Sequence, residues 1–114
     1  MYRVFNYDKE GYFVPYSFEG WKVAFLNPAE RFTREGIARL ERHTKTDEVF
    51  VLLKGHATLL IGACATEIDM IPEQIYVVEK NQWHNIIVSN DAKILIVENA
   101  DTGLENTEYM ECLL

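Results

Sequence analysis

The run Glu41-Arg42-His43-Thr44-Lys45-Thr46-Asp47-Glu48, continued by Val49-Phe50-Val51-Leu52-Leu53-Lys54-Gly55, decides how this chain folds. Imidazole and carboxylate groups with metal-ligand chemistry run straight into an apolar stretch that stops at a glycine. Such a stretch, bounded by turn residues, reads as a buried strand. On a strand, residues two apart face the same side, so Glu41 and His43 project together. Thr44 to Asp47 reads as a four-residue corner, and Glu48 opens the next strand. Further on, Trp83-His84-Asn85 opens another apolar run. Two such blocks predict a small β-barrel with polar side chains pointing into its mouth.

Outward from this segment, the chain alternates short β-like runs with turn signals. Arg3–Phe5 and Phe13–Tyr16 read as weak strands, Glu19-Gly20 as a hairpin turn and Trp21–Leu26 as a strand. Asn27-Pro28 suits the start of a helical turn through Phe32, because Asn caps and Pro fits the first helical position. Strands follow at Val49–Leu53, Ala57–Ile61, Ile68–Ile71, Ile75–Val78, His84–Val88 and Ile94–Val97. Turns at Lys54-Gly55, Gly62-Ala63, Pro72-Glu73 and Asn90-Asp91 separate them. Residues 99 to 114 read as a polar loop or short helix on the outside, and the acidic side chains from Glu98 to Glu111 as solvated. The fold class expected is all-β, a double-stranded β-helix or jelly-roll barrel.

The 114 residues fit one domain, 1–114, with the motif-bearing core at 36–98. A net charge of -7 repels phosphate backbones, which argues against nucleic-acid binding. No apolar run is long enough to span a membrane, and residues 1–8 lack the apolar core of a signal peptide. Cys64 and Cys112 are too few for a disulfide framework, so reduced thiols and a cytoplasmic location are expected. Lys45 and His56 read as solvent-facing, and Phe25, Phe50, Trp21 and Tyr76 as core or pocket wall. No nucleophile triad or Gly-rich phosphate loop is present.

Residues 36–98 resemble a cupin domain. The first cupin motif runs Gly, about five residues, His, one residue, His, three or four residues, Glu, six residues, Gly. Gly36, His43, Glu48 and Gly55 match it, with Glu41 standing where the first His is expected. In the second motif His84 matches the His, while Glu73, Glu79 and Asn81 occupy the Gly, Pro and Gly positions. Asn81 is a reasonable substitute, because Asn tolerates positive φ better than other non-Gly residues. The resemblance implies a divalent metal (Fe, Mn, Ni or Zn) held by His43, Glu48 and His84. Glu41 is then either the fourth ligand or a general base beside the metal. It also implies a barrel that is often dimeric and a small-molecule ligand such as a sugar, sugar acid or keto acid; the exposed N-terminal strands, whose unpaired edges invite pairing, predict a homodimer with residues 1 to 26 in the contact. The rival expectation is a non-catalytic binding or structural module with a degraded metal site, favoured by the departures at Glu41, Glu73 and Glu79.

Overall fold

A computed structural model describes all 114 residues. Ten strands form two antiparallel five-stranded sheets. The strands are β1 (Gly11–Phe18), β2 (Trp21–Asn27), β3 (Arg39–His43), β4 (Glu48–Lys54), β5 (Ala57–Ile61), β6 (Thr66–Asp69), β7 (Tyr76–Val78), β8 (His84–Val88), β9 (Lys93–Asn99) and β10 (Thr107–Glu111). One sheet has the order β1-β2-β9-β4-β7 and the other β10-β3-β8-β5-β6. This is the expected all-β jelly roll. The only helical segments are single 3-10 turns at Glu30–Phe32 and Leu104–Asn106.

Alternation builds the core. In β4, Glu48, Phe50 and Leu52 are buried while Val49 and Val51 are half-buried; β8 and β9 repeat the pattern. The inward side chains of the two sheets meet in one apolar cluster that includes Ala24, Leu26, Phe50, Leu52, Leu59, Ile86, Val88, Ile94 and Ile96. Each inward row runs from apolar to polar along its strand: Leu52, Phe50, Glu48 in β4; Ile94, Ile96, Glu98 in β9; Val88, Ile86, His84 in β8. The antiparallel register between β4 and β9 pairs Leu52 with Ile94, Phe50 with Ile96 and Val49 with Val97. The polar ends of both rows therefore lie at the same end of the barrel, and the apolar ends seal the other. A smaller cluster of Ile37, Leu40 and Leu60 covers the outer face of the second sheet, with Trp83, Met110 and Cys112 against it.

Turn chemistry explains the departures from the cupin motifs. Glu73 and Asn81, the residues in the two glycine positions, both have φ of 69°. Both positions thus have a left-handed backbone of the kind glycine favours, at a local steric cost that Asn bears better than Glu. Gly36 remains for a different reason: a Cβ there would lie 1.9 Å from the Glu30 carbonyl oxygen.

Four local expectations need correction. Arg3–Phe5 is not a strand; the Phe5 ring stacks instead on Tyr16, outside the sheet. The edge belongs to β1, whose register shifts between Phe13 and Tyr16, around Pro15, a residue suited to an edge because it has no N–H to donate. Asn27 does not cap the helical turn, whose N-terminal flank is Ala29; its amide donates to the Tyr7 and Lys9 carbonyls and ties down the N-terminal arm. The third strand of the later run is Thr66–Asp69 rather than Ile68–Ile71, since it pairs with β5 from Thr66 onward. The tail is not an outer loop: Thr107–Glu111 pairs with β3 along its whole length. Its acidic composition hid a strand whose Met110 joins the outer cluster and whose Glu108 meets Arg42 at 2.7 Å.

Candidate metal centre

The open end of the barrel is a cavity of about 690 Å³. Glu41, His43, Glu48 and His84 all line it, together with Tyr12, Lys22, Glu98 and Thr107. β3 supplies Glu41 and His43 from one face, as i and i+2 alternation requires. β8 lies beside it, with Glu41 directly opposite His84. Glu48 arrives from the other sheet. Only closure of the two sheets brings these groups together.

The geometry centres on one oxygen. His43 Nε2 and His84 Nε2 each lie 3.0 Å from Glu48 Oε1. Glu41 Oε1 stands 3.9 Å from both of those nitrogens. The far nitrogens are held as well: His43 Nδ1 is 2.9 Å from the Thr107 hydroxyl, and His84 Nδ1 is 3.0 Å from the Gln82 carbonyl. A carbonyl can only accept, so His84 donates from Nδ1. In neutral His84, Nε2 is then a bare lone pair aimed at a carboxylate oxygen. Two lone pairs at that distance repel, so either a proton or a cation must lie between them.

The electrostatics agree. Burial acts to raise the Glu48 pKa, but the hydrogen bonds from His43 and His84 and their charges override it and hold the carboxyl at about 2. Burial likewise acts to lower both histidines, and the Glu48 bond and charge more than compensate, so both are raised. Without a cation, the histidines carry the charge that keeps Glu48 ionised.

Sequence reasoning missed Glu98. It was expected on a solvated face, yet it is buried, at 7% exposure. Its Oε1 accepts a 2.6 Å hydrogen bond from the Tyr12 hydroxyl and lies 3.9 Å from Lys22 Nζ. Its Oε2 has no hydrogen-bond partner and stands 3.8 Å from His43 Nε2. Burial first, and then the charge of Glu48, push Glu98 up to about 7. The signal was available: Ile94, Ile96 and Glu98 continue one period-2 row, and an inward row does not become solvated merely because its next member is charged. Thr107 and Tyr12 carried no such signal, because neither terminal segment reads as part of a barrel wall.

These donors suit a divalent cation. Two sets of ligand atoms, from Glu41, His43 and His84 and from His43, Glu48 and Glu98, each lie within 4.8 Å of one another. Imidazole nitrogens mixed with carboxylate oxygens match Fe, Mn, Ni or Zn. The Nδ1 contacts of both histidines are the orienting bonds that metal-ligating imidazoles make. The unpartnered, buried Glu98 Oε2 is an acceptor that a cation would satisfy.

Fold and site together define a small cupin-like barrel. No protein-family model matches the sequence, and no curated protein matches it. Solved structures do. Streptomyces Pac13 in a complex with uridine aligns with a TM-score of 0.69 at 7% identity, over 95% of this chain and 84% of that one; Pac13 is described as a nucleoside dehydratase. A cupin-2 domain protein from Shewanella frigidimarina aligns with a TM-score of 0.63 at 18% identity, over 82% of this chain and 84% of its own. KdgF from Halomonas aligns with a TM-score of 0.60 at 7% identity, over 80% and 78%. At such identities the likeness is one of fold, and function must be argued from the site.

Proposed function

We propose that this chain binds one divalent metal ion through His43, Glu48 and His84, and a small oxygenated molecule in the cavity above it. The observation that carries this reading is the meeting of two imidazole Nε2 atoms at one buried carboxylate oxygen, where neutral His84 presents a lone pair. Glu41 and Glu98 are the further oxygen donors, 3.9 and 3.8 Å from His43 Nε2. A metal held there would supply Lewis acidity toward a ligand oxygen. The chain's own residues orient and exchange protons. Glu41, half-buried at the cavity wall, is placed to act as a base when it is not a ligand. Tyr12 and Glu98 form a hydrogen-bonded pair that can hold a proton beside His43. Phe50 and Ile96 add apolar lining next to the cluster that limits water there.

Elemental analysis of protein purified without a polyhistidine tag tests the reading. Close to one equivalent of Fe, Mn, Ni or Zn per chain is expected, and it should be absent from a His43→Ala, His84→Ala double variant. Protein free of metal that also fails to take it up on reconstitution would refute the metal centre.

A second reading keeps the ligand and drops the metal. Glu41 stands in a histidine position, and the two histidines already compensate Glu48 without a cation. The cluster would then act by proton transfer or as a binding site alone. The fold it shares with Pac13, whose uridine complex shows a nucleoside ligand, makes a nucleoside a reasonable first probe for this alternative.

We also infer a homodimer. The first ten residues lie outside any strand or helix and carry exposed apolar side chains at Tyr2, Val4 and Phe5, and β1 leaves a free sheet edge. Unpaired edges and apolar arms favour pairing with a second copy. Sedimentation should give a dimer at tens of micromolar (a range on the order of ordinary dimer affinities), and deletion of residues 1–10 should weaken it. The two free thiols suit a reducing cytoplasm.

A further inference from the structure

The chain has five arginines in a molecule with an excess of acidic groups. Two of them point away from the cavity, and each has a carboxylate. Arg34 makes a bidentate pair with Glu67 at 2.7 and 3.0 Å, and Arg42 meets Glu108 at 2.7 Å. Arg3 lies over the Tyr16 ring on the outer surface. The remaining two, Arg31 and Arg39, both line the cavity that holds the His–Glu cluster. Neither guanidinium has a carboxylate within ion-pair distance or a side-chain hydrogen bond. Each is stacked on an aromatic ring instead: Arg31 4.7 Å from the Phe32 centroid, Arg39 3.7 Å from that of Tyr109. Stacking orients a guanidinium while leaving its N–H edges unspent, and those edges form a planar fork that matches carboxylate and phosphate oxygens.

We propose that Arg31 and Arg39 form an anion-recognition subsite at the cavity mouth, for the carboxylate or phosphate end of a small oxygenated ligand. This rests on the reading that the cavity binds such a ligand. Arg39 and Glu41 share one face of β3 two residues apart, a separation of about 7 Å along the strand. A molecule about the size of a hexose, anionic at one end, fits a cavity of about 690 Å³ that Arg31, Arg39 and the cluster all line. The charge balance of the cavity also requires such a device. Glu41, Glu48 and Glu98 make its floor acidic, so an anion enters only if cations at the mouth attract it. Metal loading, which cancels floor charge, should tighten anion binding.

The test uses D-galacturonate, D-galactose 6-phosphate and neutral D-galactose as probes, on the metal-free and Zn-loaded 114-residue chain. NMR of the arginine Nε groups reports the contact directly. Both anions should shift the Arg31 and Arg39 resonances, and galactose should not. Arg31→Gln and Arg39→Gln should each weaken anion binding at least about tenfold, the scale of one lost charge-assisted contact, with galactose affinity unchanged. Arg39→Lys, which keeps the charge without the fork, should lose less and covers the case in which Arg39→Gln disturbs Tyr109. The tighter of the two anions identifies carboxylate or phosphate as the natural group. If neither anion moves these resonances at about 10 mM, a concentration at which even millimolar binding saturates, or if galactose moves them equally, the subsite is refuted. Zn binding, followed separately by competition with a chromogenic chelator, should be unaltered in the arginine variants. Failure of Zn to bind wild type would overturn the metal centre and leave the anion result standing on its own.

Discussion

Glu48→Gln isolates the group on which the whole cluster converges. The substitution keeps shape and volume and removes one charge. A carboxyl held at about 2 instead of its ordinary 4.5 is favoured in its ionised form by about 3 kcal/mol at neutral pH. An amide oxygen in the same place can still accept from both imidazoles, so the fold should survive with most of that amount lost. At about 4 °C per kcal/mol for a chain of this length, the metal-free variant should melt about 10 °C lower than metal-free wild type. The metal response should change more sharply. For wild type at a metal concentration of about one hundred times Kd, linkage adds about 2.7 kcal/mol, a further rise of about 10 °C. With an anionic ligand replaced by a neutral amide, affinity should fall at least a hundredfold, and the same metal concentration would then add less than about 0.5 kcal/mol, or about 2 °C. Differential scanning calorimetry of both proteins, with and without Zn or Mn, reads all four values. A variant whose melting temperature rises with metal as much as that of wild type would refute Glu48 as a ligand.

His84→Ala should likewise abolish most of the metal-induced rise, whereas His56→Ala, at an exposed position, should leave it intact; equal responses would mean the metal binds elsewhere. The metal-free protein should lose stability as pH rises from about 5 to 8. Glu98, raised from 4.5 to about 7, and His43 and His84, both raised above 6.5, hold protons in the folded state that the unfolded chain has already released. Glu48 has the opposite sign, so its contribution is lost only as pH falls below 4.5 toward 2. Metal binding displaces those protons, so added metal should stabilise more at pH 8 than at pH 6, and urea titrations at both values check it. Glu73→Gly should raise stability by about 1 kcal/mol, and Asn81→Gly by less, because both positions have φ of 69° and Asn tolerates that conformation better; a loss at Glu73 would show that its side chain makes a compensating contact.

Local patterning determined much of this protein. The period-2 apolar runs and the turn residues between them marked nearly every strand from Trp21 to Val97, because a strand buried on one face must alternate and a tight turn needs residues that tolerate its backbone. Ligand chemistry beside a strand start singled out His43, Glu48, His84 and Glu41 from spacing and motif. Tertiary structure alone decided the rest. Glu98 comes beside Glu48 through the pairing of β4 with β9 and beside His43 only when the two sheets close, and Tyr12 reaches Glu98 across 86 residues. The strand at Thr107–Glu111 gains its identity from β3, which offers Arg42 to Glu108 and a hydroxyl-seeking His43 to Thr107. Tyr12 and Thr107 have no local signature, and the period-2 row that turns Glu98 inward does not name its partners, since a carboxylate or hydroxyl reads as solvated until the burial and charge of its surroundings are known. Burial and charge are properties of the closed barrel, set by side chains that the sequence keeps far apart.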